Sequence, residues 1–158
     1  MQIRIDVAPW RGVPESLARG TCQFGIAFDS VPRRHFAYEP LFRETQQLCC
    51  GTPHPLYGQR IREPAVLSDA AFVLTRDDEP EELTKFRNQY VLGSHAAVRV
   101  EDLREVARLI QFGIGVGFLP TAVASLAAQG RLWPLLAGPL LAGPLLPDRC
   151  CRATSSTS

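Results

Sequence analysis

The run QFGIGVGFLP, residues 111–120, sets Gly113, Gly115 and Gly117 on alternate positions inside an apolar stretch. Such a pattern can cradle a phosphate, interrupt a membrane-spanning helix, or let two backbones approach closely. A dinucleotide site needs G-x-G-x-x-G between a strand and the helix after it, so that the helix N-terminus faces the pyrophosphate. Here a helical pattern precedes the glycines, a strand pattern follows them, and the spacing is G-x-G-x-G. The expectation is a tight corner from a helix into a buried strand.

Other candidate chemistry is thinner. Cys49, Cys50 and His54 could suggest a metal, but adjacent residues on a strand point to opposite faces and no second ligand pair at zinc spacing follows. His35 and His95 are isolated, no G-x-S-x-G elbow supports a serine nucleophile, and the carboxylates Asp77, Asp78, Glu81 and Glu82 lie in a charged, solvating stretch. The sequence therefore gives no sign of an enzyme, and no metal or cofactor is expected.

Seventeen basic against sixteen acidic residues leave a net charge of +1 over 158 residues, so a nucleic-acid backbone meets no domain-wide attraction. Direct DNA binding by this chain is not expected. Five cysteines, an odd number with two vicinal pairs, do not form a secreted disulfide framework, and Arg4 and Asp6 interrupt any N-terminal signal segment. A cytoplasmic location is the expectation. Residues 109–129 carry no charge and approach membrane-spanning length, yet the central glycines and Pro120 argue against one continuous helix. No membrane association is expected.

The elements that would position any site follow from periodicity. QIRIDV, VPESLARG and QFGIAF read as strand, short helix ended by Gly20, and a strand covered on both faces, together a βαβ unit. Residues 36–42 and 45–50 read as extended, closed by the turn-rich GTPHP. A short turn near Ser68, a strand at 71–75, a helix at 81–89 and a strand region in VLGSHAAVRV come next. In VEDLREVARLIQF, Leu103, Val106, Ala107 and Ile110 fall at i, i+3, i+4 and i+7, an apolar stripe for packing on a sheet. GVGFLP gives a strand, TAVASLAAQG a helix begun by Thr121, and LWPLL a last strand. This alternation predicts an α/β fold with a largely parallel sheet.

The ordered segments SLARGTCQFGIAF, EPLFRETQQLCCGTPHPL, LREVARLIQFGIGVGFLP and LAAQGRLWPLL together resemble the effector-binding (substrate-binding) domain of LysR-type transcriptional regulators, over about residues 2–136. His54, Pro55 and Leu56 match the family's His-Pro-Leu. Gly113, Gly115, Leu119 and Pro120 match its G-x-G-x-x-x-L-P. Gln23 and Phe24 stand where the family has an Asp-Leu-like pair. The resemblance implies an α/β, two-subdomain periplasmic-binding-protein-like (type 2) fold, with a small-molecule effector held in a cleft and homo-oligomers in the intact family. Loops at the carboxyl ends of parallel strands are where such folds form concave polar sites. The expected ligand contacts are Pro9, Trp10 and Arg11 after the first strand, Phe42 and Arg43 near the crossover, Thr75 and Arg76 after the 71–75 strand, and Glu101 at the start of the long helix. Trp10 would stack on a planar ligand, and Arg11 or Arg76 would pair with a carboxylate, so a carboxylate or aromatic metabolite is the expected effector.

Against the family pattern, the chain opens at what would be the second strand, with no helix-turn-helix before it, so an incomplete first subdomain is expected. LLAGPLLAGPLL repeats residues 135–139 as 140–144, and the sequence after it lacks the family's returning strand. The expectation is a domain over 1–136, its second subdomain at about 45–136, and a disordered tail over 137–158. The alternatives are a soluble solute-binding protein of a transport system, which shares this kind of two-lobe fold, and a small α/β enzyme.

Overall fold

The computed structural model describes residues 2–9, 12–27, 33–42, 44–76, 79–128, 130–137 and 148–153. They fall into two units, one formed by Met1–Arg43 with Leu146–Ser158, the other by Glu44–Leu145.

The second unit is organised by the helix with the strongest stripe. Helix α3 (Leu103–Gln111) starts at Asp102, whose carboxylate accepts from the Arg104 N–H at 2.6 Å, and buries Val106, Ala107 and Ile110. Its last turn closes with Ile114 N–H donating to Leu109 and Gly113 N–H to Ile110, and Gly113 takes a φ of 76°, the left-handed end that glycine accommodates without a Cβ penalty. The chain then enters strand β6 (Gly117–Pro120), every residue of which is buried. A Cβ on Gly115 would run into the Ala71 carbonyl, and one on Gly117 would stand 2.7 Å from both Ile110 Cδ1 and the Val73 carbonyl oxygen. The alternate glycines are thus a close-packed corner, as expected. The uncharged run at 109–129 is divided among α3, β6 and helix α4 (Thr121–Ala128), and no helix among the described residues is long and apolar enough to cross a membrane.

Around β6 the sheet is mixed. Strand β3 (Gln46–Gly51) pairs antiparallel with β6 and with β7 (Leu132–Pro134), while β4 (Phe72–Thr75) and β5 (Ala96–Val100) pair in parallel. A parallel bridge between Phe72 and Val116 joins the two sets, giving the spatial order β5-β4-β6-β3-β7. The expected largely parallel sheet holds for β4, β5, β6 and β7, which run in one direction, and fails only at β3, which enters in reverse. One face carries Leu48, Cys50, Phe72, Leu74 and Phe118 with helix α2 (Glu81–Gln89), and the other packs Cys49, Val73 and Leu119 against α3 and α4. The strand region expected from residue 91 starts only at Ala96, after turns in which Val91 and Gly93 take positive φ. A short 3-10 turn, Pro64–Leu67, fills the place foreseen near Ser68.

The His-Pro-Leu segment turns β3 back onto this core. His54 N–H donates to Gly51, Tyr57 N–H to His54, and the Tyr57 hydroxyl reaches the Gly130 carbonyl at 2.6 Å.

The other unit departs from expectation. Helix α1 (Gly12–Ala18) buries Pro14 and Leu17 and ends as foreseen, with Gly20 at φ 69°. Residues 2–9 form no strand, however, and Ile3, Ile5 and Val7 are 72%, 83% and 97% exposed. Alternation marks which side chains would face a sheet, but a strand exists only where a neighbour supplies its hydrogen bonds. Here strands β1 (Phe24–Ala27) and β2 (Phe36–Phe42) both pair antiparallel with β8 (Asp148–Ala153), in the order β1-β8-β2. The expected βαβ unit and the strand covered on both faces are accordingly corrected: Phe24 and Ile26 remain exposed on β1. Residues 148–153, within the expected disordered tail, form the middle strand of this sheet instead. Two short strands with open edges gain a full ladder each when one further strand enters between them. The rest of that expected tail beyond Ala137 lies outside the described residues.

Candidate functional site

In the second unit, the parallel strands β4 and β5 end side by side, and their carboxyl ends hold three of the expected contacts. Thr75 is the last residue of β4, in register with Val100, and Arg76 continues the ladder by donating its N–H to the Val100 carbonyl at 2.9 Å. The Arg76 guanidinium stands 3.7 Å from the Glu101 carboxylate, with both side chains mainly exposed. At that separation and exposure the pair contributes little, and the arginine is free to take a better partner. Asp102 follows directly and caps α3 with its carboxylate, so the N-terminus of that helix already has its acceptor.

The same edge continues across β6 to the start of β3. The Thr121 N–H donates to the Thr45 carbonyl at 2.7 Å, the Thr121 hydroxyl reaches that carbonyl at 2.9 Å, and the two hydroxyls meet at 2.7 Å. This clasp ties the first turn of α4 to the entry of β3. Next to it, Gln46 is only 5% exposed, a polar side chain on the face that also carries Leu48 and Cys50. Sequence reasoning passed over Thr45, Gln46 and Thr121. A signal was present, since alternation along TQQLCCG puts a glutamine where the strand's inward face is otherwise apolar.

The remaining expected contacts belong to the other unit or lie outside the described residues. Pro9 is exposed in the stretch before α1 and accepts a hydrogen bond from the Gly12 N–H at 2.8 Å. Phe42 ends β2, paired with Asp148 across a register irregularity. Trp10, Arg11 and Arg43 lie outside the described residues. The structure thus brings Thr75, Arg76 and Glu101 together within one unit, and describes Pro9 and Phe42 in the other.

The cysteines of β3 are structural in environment. Burial pushes the Cys49 thiol up to about 12, helped by the neighbouring Cys50, and burial pushes Cys50 up to about 11. Such thiols are held neutral and unreactive at physiological pH. His54, whose Nδ1 accepts from the Leu56 N–H at 3.2 Å, is held below the usual imidazole range by partial burial. Among the described residues no group of three or more His, Cys, Asp or Glu is arranged to hold a metal ion.

Comparison with known proteins agrees with this architecture. No curated protein matches the sequence. Among solved structures, a cysteine mutant of OxyR from Corynebacterium glutamicum superposes with a TM-score of 0.72 at 15% identity, covering 95% of this chain and 48% of that one. The regulatory domain of CcmR from Synechocystis, in complex with 2-PG, gives 0.78 at 13% identity, over 99% of this chain and 76% of that one. The effector-binding domain of QuiR in complex with shikimate gives 0.70 at 12% identity, over 96% and 70%. The chain spans about half the length of the OxyR chain it matches. These likenesses establish an α/β fold of the periplasmic-binding-protein-like kind, and a family model, the LysR substrate binding domain, covers residues 1–146. With that match running from the stretch before α1 through both units, the chain belongs to the LysR substrate-binding-domain family.

Proposed function

We propose that this chain is the ligand-sensing part of a LysR-type transcriptional regulator, that it binds a small organic acid, and that it performs no catalysis. The family match over residues 1–146 carries the reading. The edge geometry supports it, since an arginine held by a loose, exposed ion pair at the carboxyl ends of parallel strands is a natural partner for a carboxylate. Two structural neighbours are complexes with 2-PG and with shikimate, consistent with small anionic effectors for this fold. Thr75 and Glu101 would supply hydrogen-bonding groups beside Arg76.

In this reading the chain works in the cytoplasm as part of a homo-oligomer, and the effector shifts the populations of the oligomer's conformations. The near-neutral charge supports DNA contact being made by another part of such a regulator.

The test is a thermal-shift and calorimetric screen of small carboxylates. Saturable binding that raises Tm in the wild type and weakens about tenfold in Arg76→Ala supports the proposal; a tenfold change corresponds to about 1.4 kcal/mol. Equal affinity in the variant would remove Arg76 from the site, and turnover of any bound acid would overturn the assignment as a sensor.

A further inference from the structure

Helices α1, α3 and α4 are each followed closely by a glycine of left-handed backbone, Gly20, Gly113 and Gly130, whereas α2 ends on a valine in that conformation. Val91 takes a φ of 56° and is the one non-glycine residue at positive φ among those described. The hydrogen bonds around it are those of a glycine helix stop. Leu92 N–H donates to the Arg87 carbonyl at 2.8 Å and Val91 N–H to the Asn88 carbonyl at 3.3 Å. Only the pivot residue is wrong for the turn. In left-handed backbone a Cβ crowds the following carbonyl, and a β-branched side chain fits there worst. Val91 is 62% exposed, so burial offsets little of that strain.

Such a conformation persists only where its surroundings force it. Here one side chain does so. The Arg87 Nε and Nη2 donate to the Glu79 carboxylate, both at 2.6 Å, and its Nη1 donates to the Leu92 carbonyl at 3.1 Å. Glu79 precedes the helix and also accepts from the Thr84 hydroxyl at 2.9 Å. The clamp therefore runs from before the first turn of α2 to the residue beyond Val91. Both charged side chains are nearly buried, so either one left alone is strongly unfavourable. Next to the pivot, Leu92 is buried with Phe72 and Leu74, and a Cβ on Gly93 would stand 3.3 Å from Leu74 Cδ1.

We propose that the C-terminal end of α2 is a sprung latch, a two-state element that strain at Val91 pushes open and the Glu79–Arg87 pair holds shut. Opening breaks the hydrogen bonds of Val91 and Leu92, returns Val91 to negative φ and lifts Leu92 from the core, while α3 and the sheet beneath it stay folded. The segment released is the connection from α2 into β5. This goes beyond the sensor reading and stands without it, since it involves only α2 and the residues packed against its end.

The test is hydrogen exchange of the Leu92 amide, followed by NMR on the full chain. Glu79→Gln, which removes the charge and keeps the shape, should speed that exchange about a hundredfold and leave Leu103–Gln111 unchanged. Val91→Gly and Val91→Asn, which accept left-handed backbone, should slow it about tenfold in the wild type and in Glu79→Gln alike. Val91→Ala keeps the Cβ and should slow it less. Exchange that is unchanged or faster in both Val91→Gly and Val91→Asn would mean that Val91 stores no strain, and would overturn the proposal. Equal acceleration in α3 on Glu79→Gln would overturn it too, because the pair would then hold the whole unit rather than one end of a helix. Unchanged Leu92 exchange in Glu79→Gln would remove the clamp, with the same consequence. If Glu79→Gln does not fold, the Val91 variants decide alone.

Discussion

The two units of this chain are built in opposite ways. The second is one continuous stretch, residues 44–145, and encloses two layers of core on the faces of a five-strand sheet. The first joins residues 1–43 to 146–158, so that its middle strand β8 pairs Phe24 with Arg152 and Phe36 with Ala153, across more than a hundred residues of intervening chain. Their strands differ accordingly. Phe24 and Ile26 are exposed on β1, whereas the β-strands of the second unit bury Leu48, Phe72, Val73 and Leu119 almost completely. Continuity in sequence lets local pattern and tertiary packing agree, and the second unit is where they do.

The comparison can be broken most severely at Gly51. A Cβ there would collide with the Ile110 carbonyl, where α3 lies on β3. Gly51→Val is expected to destabilise the second unit by about 4 kcal/mol or more, measured by urea denaturation followed through Trp133. Retention of wild-type stability would mean that α3 can lift from the sheet without cost.

The next largest effect concerns the clamp that closes α2. Glu79 and Arg87 form a two-pronged pair at 2.6 Å with side chains 13% and 12% exposed, and Arg87 also donates to the Leu92 carbonyl at 3.1 Å. Glu79→Ala strands a buried guanidinium and is expected to cost about 3 kcal/mol. Replacing both partners by apolar residues should recover much of it, and no recovery would contradict the role assigned to the pair.

Alkaline pH sharpens the same contrast through Cys49 and Cys50. Their ordinary thiol value is 9.0, and burial raises them to about 12 and about 11. Above pH 9 the unfolded chain releases these protons while the folded one keeps them. Stability is therefore fully present below pH 9 and falls as pH rises toward 11 and 12, by about 2 to 3 kcal/mol between pH 8 and 10. A Cys49→Ala, Cys50→Ala variant should lack most of this slope.

The smallest effect is confined to the first unit. Proline has no N–H and cannot donate to a ladder, so Cys151→Pro should disturb β8 where it faces Gly25 and Tyr38. Hydrogen exchange over Phe24–Ala27 and Phe36–Phe42 should accelerate about tenfold, with Leu103–Gln111 unchanged. Acceleration in α3 as well would mean that the second unit depends on the first.

What the sequence disclosed follows the same division. The stripe of α3, the glycine corner, the bounds of α2 and the carboxyl-end position of Thr75, Arg76 and Glu101 were all legible, because each is a local pattern confirmed by neighbours close in the chain. The mixed direction of the sheet was not, since β3 reads as an apolar strand whichever way it runs. The alternation of Ile3, Ile5 and Val7 misled, because it specifies a face without supplying a partner strand. β8 was missed because DRCCRA is a short polar stretch following a repeat, and only the open edges of β1 and β2 define its place. Gln46 was legible in principle, as the one polar residue on an apolar strand face, yet its burial emerges only when β6 and the opposing core are in position.

The most direct measurement is an amide-resolved NMR titration of the chain with shikimate. The account predicts saturable shifts concentrated at Thr75, Arg76 and Glu101, all fitting one dissociation constant. Saturable binding that leaves these three amides unmoved, or no saturable shift anywhere, would contradict it.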